Sequence, residues 1–140
     1  MTSPWIKRYK EKAEANLAVS KKLRATEFSA AINRAYYALY QAANAWMKLK
    51  GYAGSDRDRE NWRHEEVSSN WEKILGQLEK LNPGLVDHDG PILYRKIMEF
   101  RVLVDYKAAP PPSAQEAEVI VEDAARATGW LLSVLRKEGY

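Results

Sequence analysis

The chain contains two histidines, His64 and His88, and imidazole is the side chain that exchanges a proton near neutral pH. His88 stands between Asp87 and Asp89, where neighbouring side chains diverge too far to share a metal ion, so the segment reads as solvated loop. His64 lies three residues before Val67 and seven before Trp71. That spacing puts it on the inner stripe of a helix, where a hydrogen-bonded packing role is expected. Arg101 precedes Asp105 by four residues and Tyr106 follows at once; such a pair meets across one helical turn and stabilises it by roughly 0.2–0.5 kcal/mol. Arg34 stands out because its helix is otherwise apolar most of the way round. An unpaired buried charge is very costly, so Arg34 must reach solvent or meet a carboxylate. Asp105 is its predicted partner or near neighbour. Arg34, Arg101, Asp105 and Tyr106 are thus expected to form a polar cluster between the second and fourth helices, and with Tyr37 they are the candidate ligand-binding residues.

Five helices must position these groups. Ser3-Pro4 reads as a cap followed by proline at the first helical position, and Ile6, Tyr9, Ala13 and Leu17 carry a first helix to about Arg24. After a break near Thr26, a stripe of Phe28, Ile32, Ala35, Leu39, Ala42 and Trp46 defines the second helix. Its other faces hold Ala31, Tyr36, Tyr37, Tyr40, Ala43 and Met47, so neighbours must cover it on several sides. Gly51 is a plausible stop. Gly54 to Glu60 contains no apolar residue and reads as a loop, with Tyr52 and Trp62 flanking it as the expected exposed aromatic pair. Val67, Trp71, Ile74, Leu78 and Leu81 mark the third helix, which Asn82-Pro83-Gly84 ends. Leu93, Ile97, Phe100 and Val104 mark the fourth, beginning near Pro91. The run Pro110-Pro111-Pro112 predicts a rigid extended connector. Ser113-Ala114-Gln115-Glu116 is a capping box opening a fifth helix with Ile120, Ala124, Ala127, Leu131 and Leu135 inside. The expectation is a single all-α domain over residues 1–140, an antiparallel bundle of about five helices.

Composition removes several function classes. With no cysteine there is no disulfide framework and no thiolate metal site, which suits a cytoplasmic setting. No run of eighteen apolar residues lacks a charge, so no membrane span is expected. The first residues lead into Lys7, Arg8, Lys10 and Lys12 rather than an apolar stretch, unlike a secretory signal. A net charge of +3 does not demand a polyanionic partner, although the basic first helix could track a phosphate backbone. Five tryptophans and eight tyrosines could stack bases, but most fall on core stripes. A Gly-rich phosphate loop, a di-iron carboxylate pattern and a nucleophile elbow are all missing, and no cofactor is expected.

The segment Ser29-Ala30-Ala31-Ile32-Asn33-Arg34-Ala35-Tyr36-Tyr37-Ala38-Leu39-Tyr40-Gln41-Ala42-Ala43 resembles the signature helix of the HEPN family (higher eukaryotes and prokaryotes nucleotide-binding), in particular its small stand-alone prokaryotic members. Gly51 closing that helix, His64-x-x-Val67 with Trp71, the run from Arg101 to Asp105-Tyr106, and a last amphipathic helix after a proline-bearing loop agree in order and spacing. The resemblance spans nearly the whole chain. It implies a helical bundle that usually dimerises, and members that are ribonuclease toxins, partners of minimal nucleotidyltransferases, or small proteins of unknown role.

Ribonuclease members carry an arginine followed, after four to six residues, by a histidine in the helix matching the fourth one here. In such a site arginine stabilises charge on the phosphate while histidine moves a proton. Here Val104, Asp105 or Tyr106 stands where that histidine would fall, and none replaces an imidazole. Arg59 and His64 satisfy the bare spacing outside the family's position. The resemblance therefore implies a module without catalysis that binds a nucleotide, RNA or a nucleotidyltransferase partner, as a homodimer and in a toxin–antitoxin or stress-defence setting. The first alternative is a metal-independent endoribonuclease with a degenerate motif using Arg101, Asp105, Tyr106 or His64. The second is a ligand-free adaptor.

Overall fold

The computed structural model describes residues 4–52, 62–106 and 110–140, with Tyr106 described through its backbone alone. Among them are five helices and no strand: α1 (Pro4–Leu23), α2 (Phe28–Leu49), α3 (His64–Leu81), α4 (Gly90–Tyr106) and α5 (Ala114–Lys137). The all-α bundle expected from the periodicity is what forms. Ser3 and the polar stretch from Gly54 to Glu60 lie outside the described residues.

The helix ends follow local chemistry. Pro4 opens α1, where its missing N–H costs nothing. Glu116 N–H donates to Ser113 Oγ (3.0 Å) and Ser113 N–H donates to Glu116 Oε1 (2.9 Å), completing the capping box of α5. At the end of α3, Gly84 adopts φ +84°, and its N–H donates to Glu79 Oε1 at 2.6 Å. A residue with a side chain is disfavoured in that left-handed conformation. Pro110, Pro111 and Pro112 lie outside any helix, and Pro112 is buried.

Helix α2 packs against all four others, whereas α1 touches only α2 and α5. The alanines explain why one helix can be surrounded so closely. Ala31, Ala35, Ala38, Ala42, Ala43 and Ala45 are all fully buried, and small side chains let neighbouring backbones approach. Phe28, at the start of α2, is half-buried against the core. Two polar anchors hold α2. Near its start, Ser20 Oγ donates to the Ala31 carbonyl across the α1–α2 turn (2.8 Å). Near its end, Asn44 accepts from the Trp62 backbone N–H (2.9 Å), while its own Nδ2 donates to the Tyr40 carbonyl. Asn44 is fully buried, so both halves of its amide are used.

Trp62 is the first correction. It is 1% exposed, not an exposed aromatic. Tyr40 Oη donates to its carbonyl and Asn44 holds its N–H, so the backbone entering α3 is drawn into the core with its ring. Tyr52 is half-buried, donates to Gln77 Oε1 (2.8 Å) and lies under Lys73.

The α3–α4 corner is tight. Gly90 opens α4 with its carbonyl accepting from Trp71 Nε1 (2.8 Å). A Cβ there would stand 2.7 Å from Val86 Cγ1 and 3.3 Å from Leu75 Cδ1. Asp87 and Asp89, beside His88, both turn to Arg126 of α5 (3.1 and 2.9 Å). Gly90→Ala is expected to destabilise the fold by about 1–3 kcal/mol through overpacking, against the gain that alanine ordinarily brings in a helix. Urea unfolding measures this, and an unchanged or higher midpoint would contradict the packing described.

Candidate functional site: an arginine and a histidine joined by tyrosines

Residues Asn33, Tyr36, Tyr37 and Tyr40 fall at i, i+3, i+4 and i+7 of α2 and therefore share one face. That face meets α3 and α4. From α4, the Arg101 guanidinium carbon lies 5.3 Å from the Tyr36 ring centre and 5.2 Å from that of Tyr37. Both rings are within cation–π range, and they meet each other edge-on at 5.4 Å. Arg101 Nη2 donates to Tyr37 Oη (2.8 Å). Arg101 Nε lies 3.1 Å from Asp105 Oδ2, and the same oxygen accepts from Asn33 Nδ2 at 2.7 Å. Arg101 is 8% exposed, so this carboxylate and these rings replace the water that the cation has lost.

Helix α3 brings His64 to the same place. Its ring stacks on Tyr40 (centroids 4.3 Å apart, 26° between planes) and lies 5.5 and 6.0 Å from the rings of Tyr36 and Tyr37. Nδ1 is hydrogen-bonded to Tyr36 Oη, which is also bonded to Tyr94 Oη at 3.1 Å. Burial first, and then the charge of Arg101, hold the imidazole below its ordinary range, with a smaller opposing effect from Glu65. Burial likewise pushes the Tyr36 and Tyr94 hydroxyls well up, so both keep their protons. The cluster is a half-exposed neutral imidazole beside a guanidinium, joined through one tyrosine. Beside it runs a groove of about 470 Å³ between α3 and α4, lined by Ser68, Glu72 and Arg95 with Trp71 and Tyr94 at its base.

Arg101, Asp105, Tyr37 and His64 are thus brought together. Arg34 is not. Its side chain is exposed and donates from Nη1 to Asn16 Oδ1 of α1 (3.3 Å), so the expected Arg34–Asp105 pairing does not form. Asn33, one residue and about 100° round the helix, takes that carboxylate instead. The reason is angular. Arg34 has a solvated direction open to it beside α1, so it needs no carboxylate. The side chain of Tyr106 and all of Arg59 lie outside the described residues.

His64 reads correctly as a hydrogen-bonded packing residue, yet its partners were not foreseeable. Tyr36 lies 28 residues away, and Arg101 lies on another helix. Tyr94 and Asn33 were missed altogether; Tyr94, one residue after Leu93, carried only the signal of an aromatic on a core-facing turn. Basic residues of α1 do not extend the site, because α1 has no contact with α3 or α4. Arg24, just past the end of α1, instead faces Glu122 of α5 at 3.8 Å. Among the described residues no group of three or more histidine or carboxylate side chains converges as a metal site, and no helix is long and apolar enough to cross a membrane.

No protein-family model and no curated protein matches the chain.

Because the ring is held below its ordinary value near 6.5, the unfolded chain binds a proton before the folded one does. The stabilisation from the neutral ring is complete above the unfolded value and is lost as pH falls through the folded one. Stability measured by urea unfolding is expected to decline on acidification through that window, and His64→Gln is expected to flatten the decline. An equally steep decline in the variant would place its origin elsewhere.

Proposed function

We propose that the chain is a HEPN-like helical module that binds a phosphate-bearing ligand, RNA or a nucleotide, at the Arg101–His64 cluster without cleaving it. The observation that carries this reading is the meeting of Arg101 and His64 from two helices on Tyr36 and Tyr37 of a third. Those tyrosines belong to the Arg34-Ala35-Tyr36-Tyr37-Ala38 segment on which the family resemblance rests. A guanidinium fixed between rings is pre-organised toward an anion, and half-exposed His64 gives the cluster an outlet to solvent. Tyr37, also half-buried, adds a ring on which a base can stack. Asp105 tempers the site, since a phosphate must compete with it for Arg101.

The reading includes a cytoplasmic homodimer and a nucleotidyltransferase as an alternative partner. Exposed Ile92 and Leu103 on α4 and Val119 on α5 supply apolar surface for such contacts. A second reading, metal-independent cleavage of RNA, has one observation in its favour: an imidazole with a depressed pKa lies near an arginine, a combination able to move a proton and to stabilise charge on a phosphate.

Anisotropy of a labelled single-stranded RNA is expected to report binding that weakens as salt rises. Arg101→Lys, which keeps the charge but loses the planar fork, and His64→Ala are each expected to weaken it by about fivefold or more, on the order of 1 kcal/mol, with unchanged helical circular dichroism. RNA that is shortened by the parent and spared by His64→Ala would establish cleavage. No binding at low salt would leave the adaptor reading.

A further inference from the structure

Tyr94 is fully buried, and among the described residues its hydroxyl has one hydrogen-bond partner, Tyr36 Oη. Tyr36 Oη has two, Tyr94 Oη and His64 Nδ1. Both tyrosines carry their protons, and a buried hydroxyl proton without an acceptor is costly. One arrangement satisfies both protons: Tyr94 donates to Tyr36, and Tyr36 donates to His64 Nδ1. If Nδ1 carried a proton, it would donate to Tyr36, Tyr36 would donate to Tyr94, and the Tyr94 proton would be stranded. A doubly protonated ring forces the same reversal.

We infer that Tyr36, backed by Tyr94, holds His64 as the neutral tautomer protonated on Nε2, so that near neutral pH the site presents an N–H donor beside the Arg101 charge rather than a base. Tyr36 is the positioning residue that acts through the imidazole; Tyr94 supplies only the second hydrogen bond to its hydroxyl. The other groups facing the ring agree with this assignment. Tyr37 and Tyr40 of α2 pack on it as rings, Arg101 of α4 disfavours a second positive charge, and Glu65 on its own helix opposes that only weakly. The ligand preferred by such a site is an anion that accepts, such as a phosphate oxygen. A 2′-hydroxyl that must give up its proton finds no lone pair on Nε2. This choice of binding over cleavage rests on the reading of the site as a phosphate site, whereas the tautomer itself does not.

Long-range proton–nitrogen correlation spectra of the full-length, ¹⁵N-labelled protein, recorded without ligand at about pH 7, read the tautomer directly. His88, exposed on the α3–α4 connection, is the reference for an unconstrained ring. His64 is expected to show an unprotonated Nδ1 and a protonated Nε2. Tyr36→Phe should move its nitrogens toward the averaged His88 pattern, while Tyr94→Phe, which trims the same cluster but leaves the Tyr36 donor, should keep the parent signature. An Nδ1-protonated ring in the parent, or a Tyr94→Phe shift as large as that of Tyr36→Phe, would overturn the assignment. Since no RNA is present, failure to bind RNA leaves this result standing, and a wrong tautomer leaves RNA binding untouched.

Discussion

A guanidinium cannot shed its proton to escape burial, so whatever surrounds Arg101 must compensate a permanent charge. At 8% exposure it has lost most of its water, and α2 and α4 are arranged around that loss. Asp105 supplies the countercharge from the next turn of the same helix, Asn33 holds that carboxylate from α2, and Tyr36 and Tyr37 offer ring faces. Arg101 is the buried member of this pair and Asp105 the exposed one, so loss of the carboxylate leaves the cation short of a countercharge that water replaces only in part. The Tyr36 and Tyr37 rings stand where the cation has lost its water.

Histidine enters this arrangement by a separate route. Asn44 and Tyr40 seize the backbone at Trp62, and α3 begins two residues later with His64 on its first turn. The imidazole thus reaches the cluster from the start of a helix whose approach is set by a buried amide, not by the helix that bears the arginine. A search for both residues along one helix finds Arg101 and misses its companion.

The helices, their stops and the α5 cap were legible because periodicity and capping are local properties of sequence. The same is true of Arg101–Asp105, a contact made within one helix. What escaped depends on helix phase and on partners remote in sequence. Arg34 and Asn33 are adjacent in the chain, yet they face different neighbours, and nothing local says which of them meets Asp105. Trp62 borders a polar stretch and reads as exposed, but two long-range hydrogen bonds bury it. The Tyr36–His64 bond joins two residues that were legible singly and became a site only when α2 and α3 were set side by side.

The two polar anchors of α2 have a mechanical consequence. Ser20 grips the helix at Ala31 and Asn44 grips it near the other end, about 20 Å further along the axis at 1.5 Å per residue. Asn33, Tyr36, Tyr37 and Tyr40 all lie between these grips. Such a helix is clamped against torsion, like a shaft held in two bearings. A quarter-turn would carry Arg34 toward the place that Asn33 holds and uncouple the cluster. The α2 side of the cluster is thereby held in one rotational setting, while α3 and α4 meet at the Gly90 corner that Arg126 ties to α5.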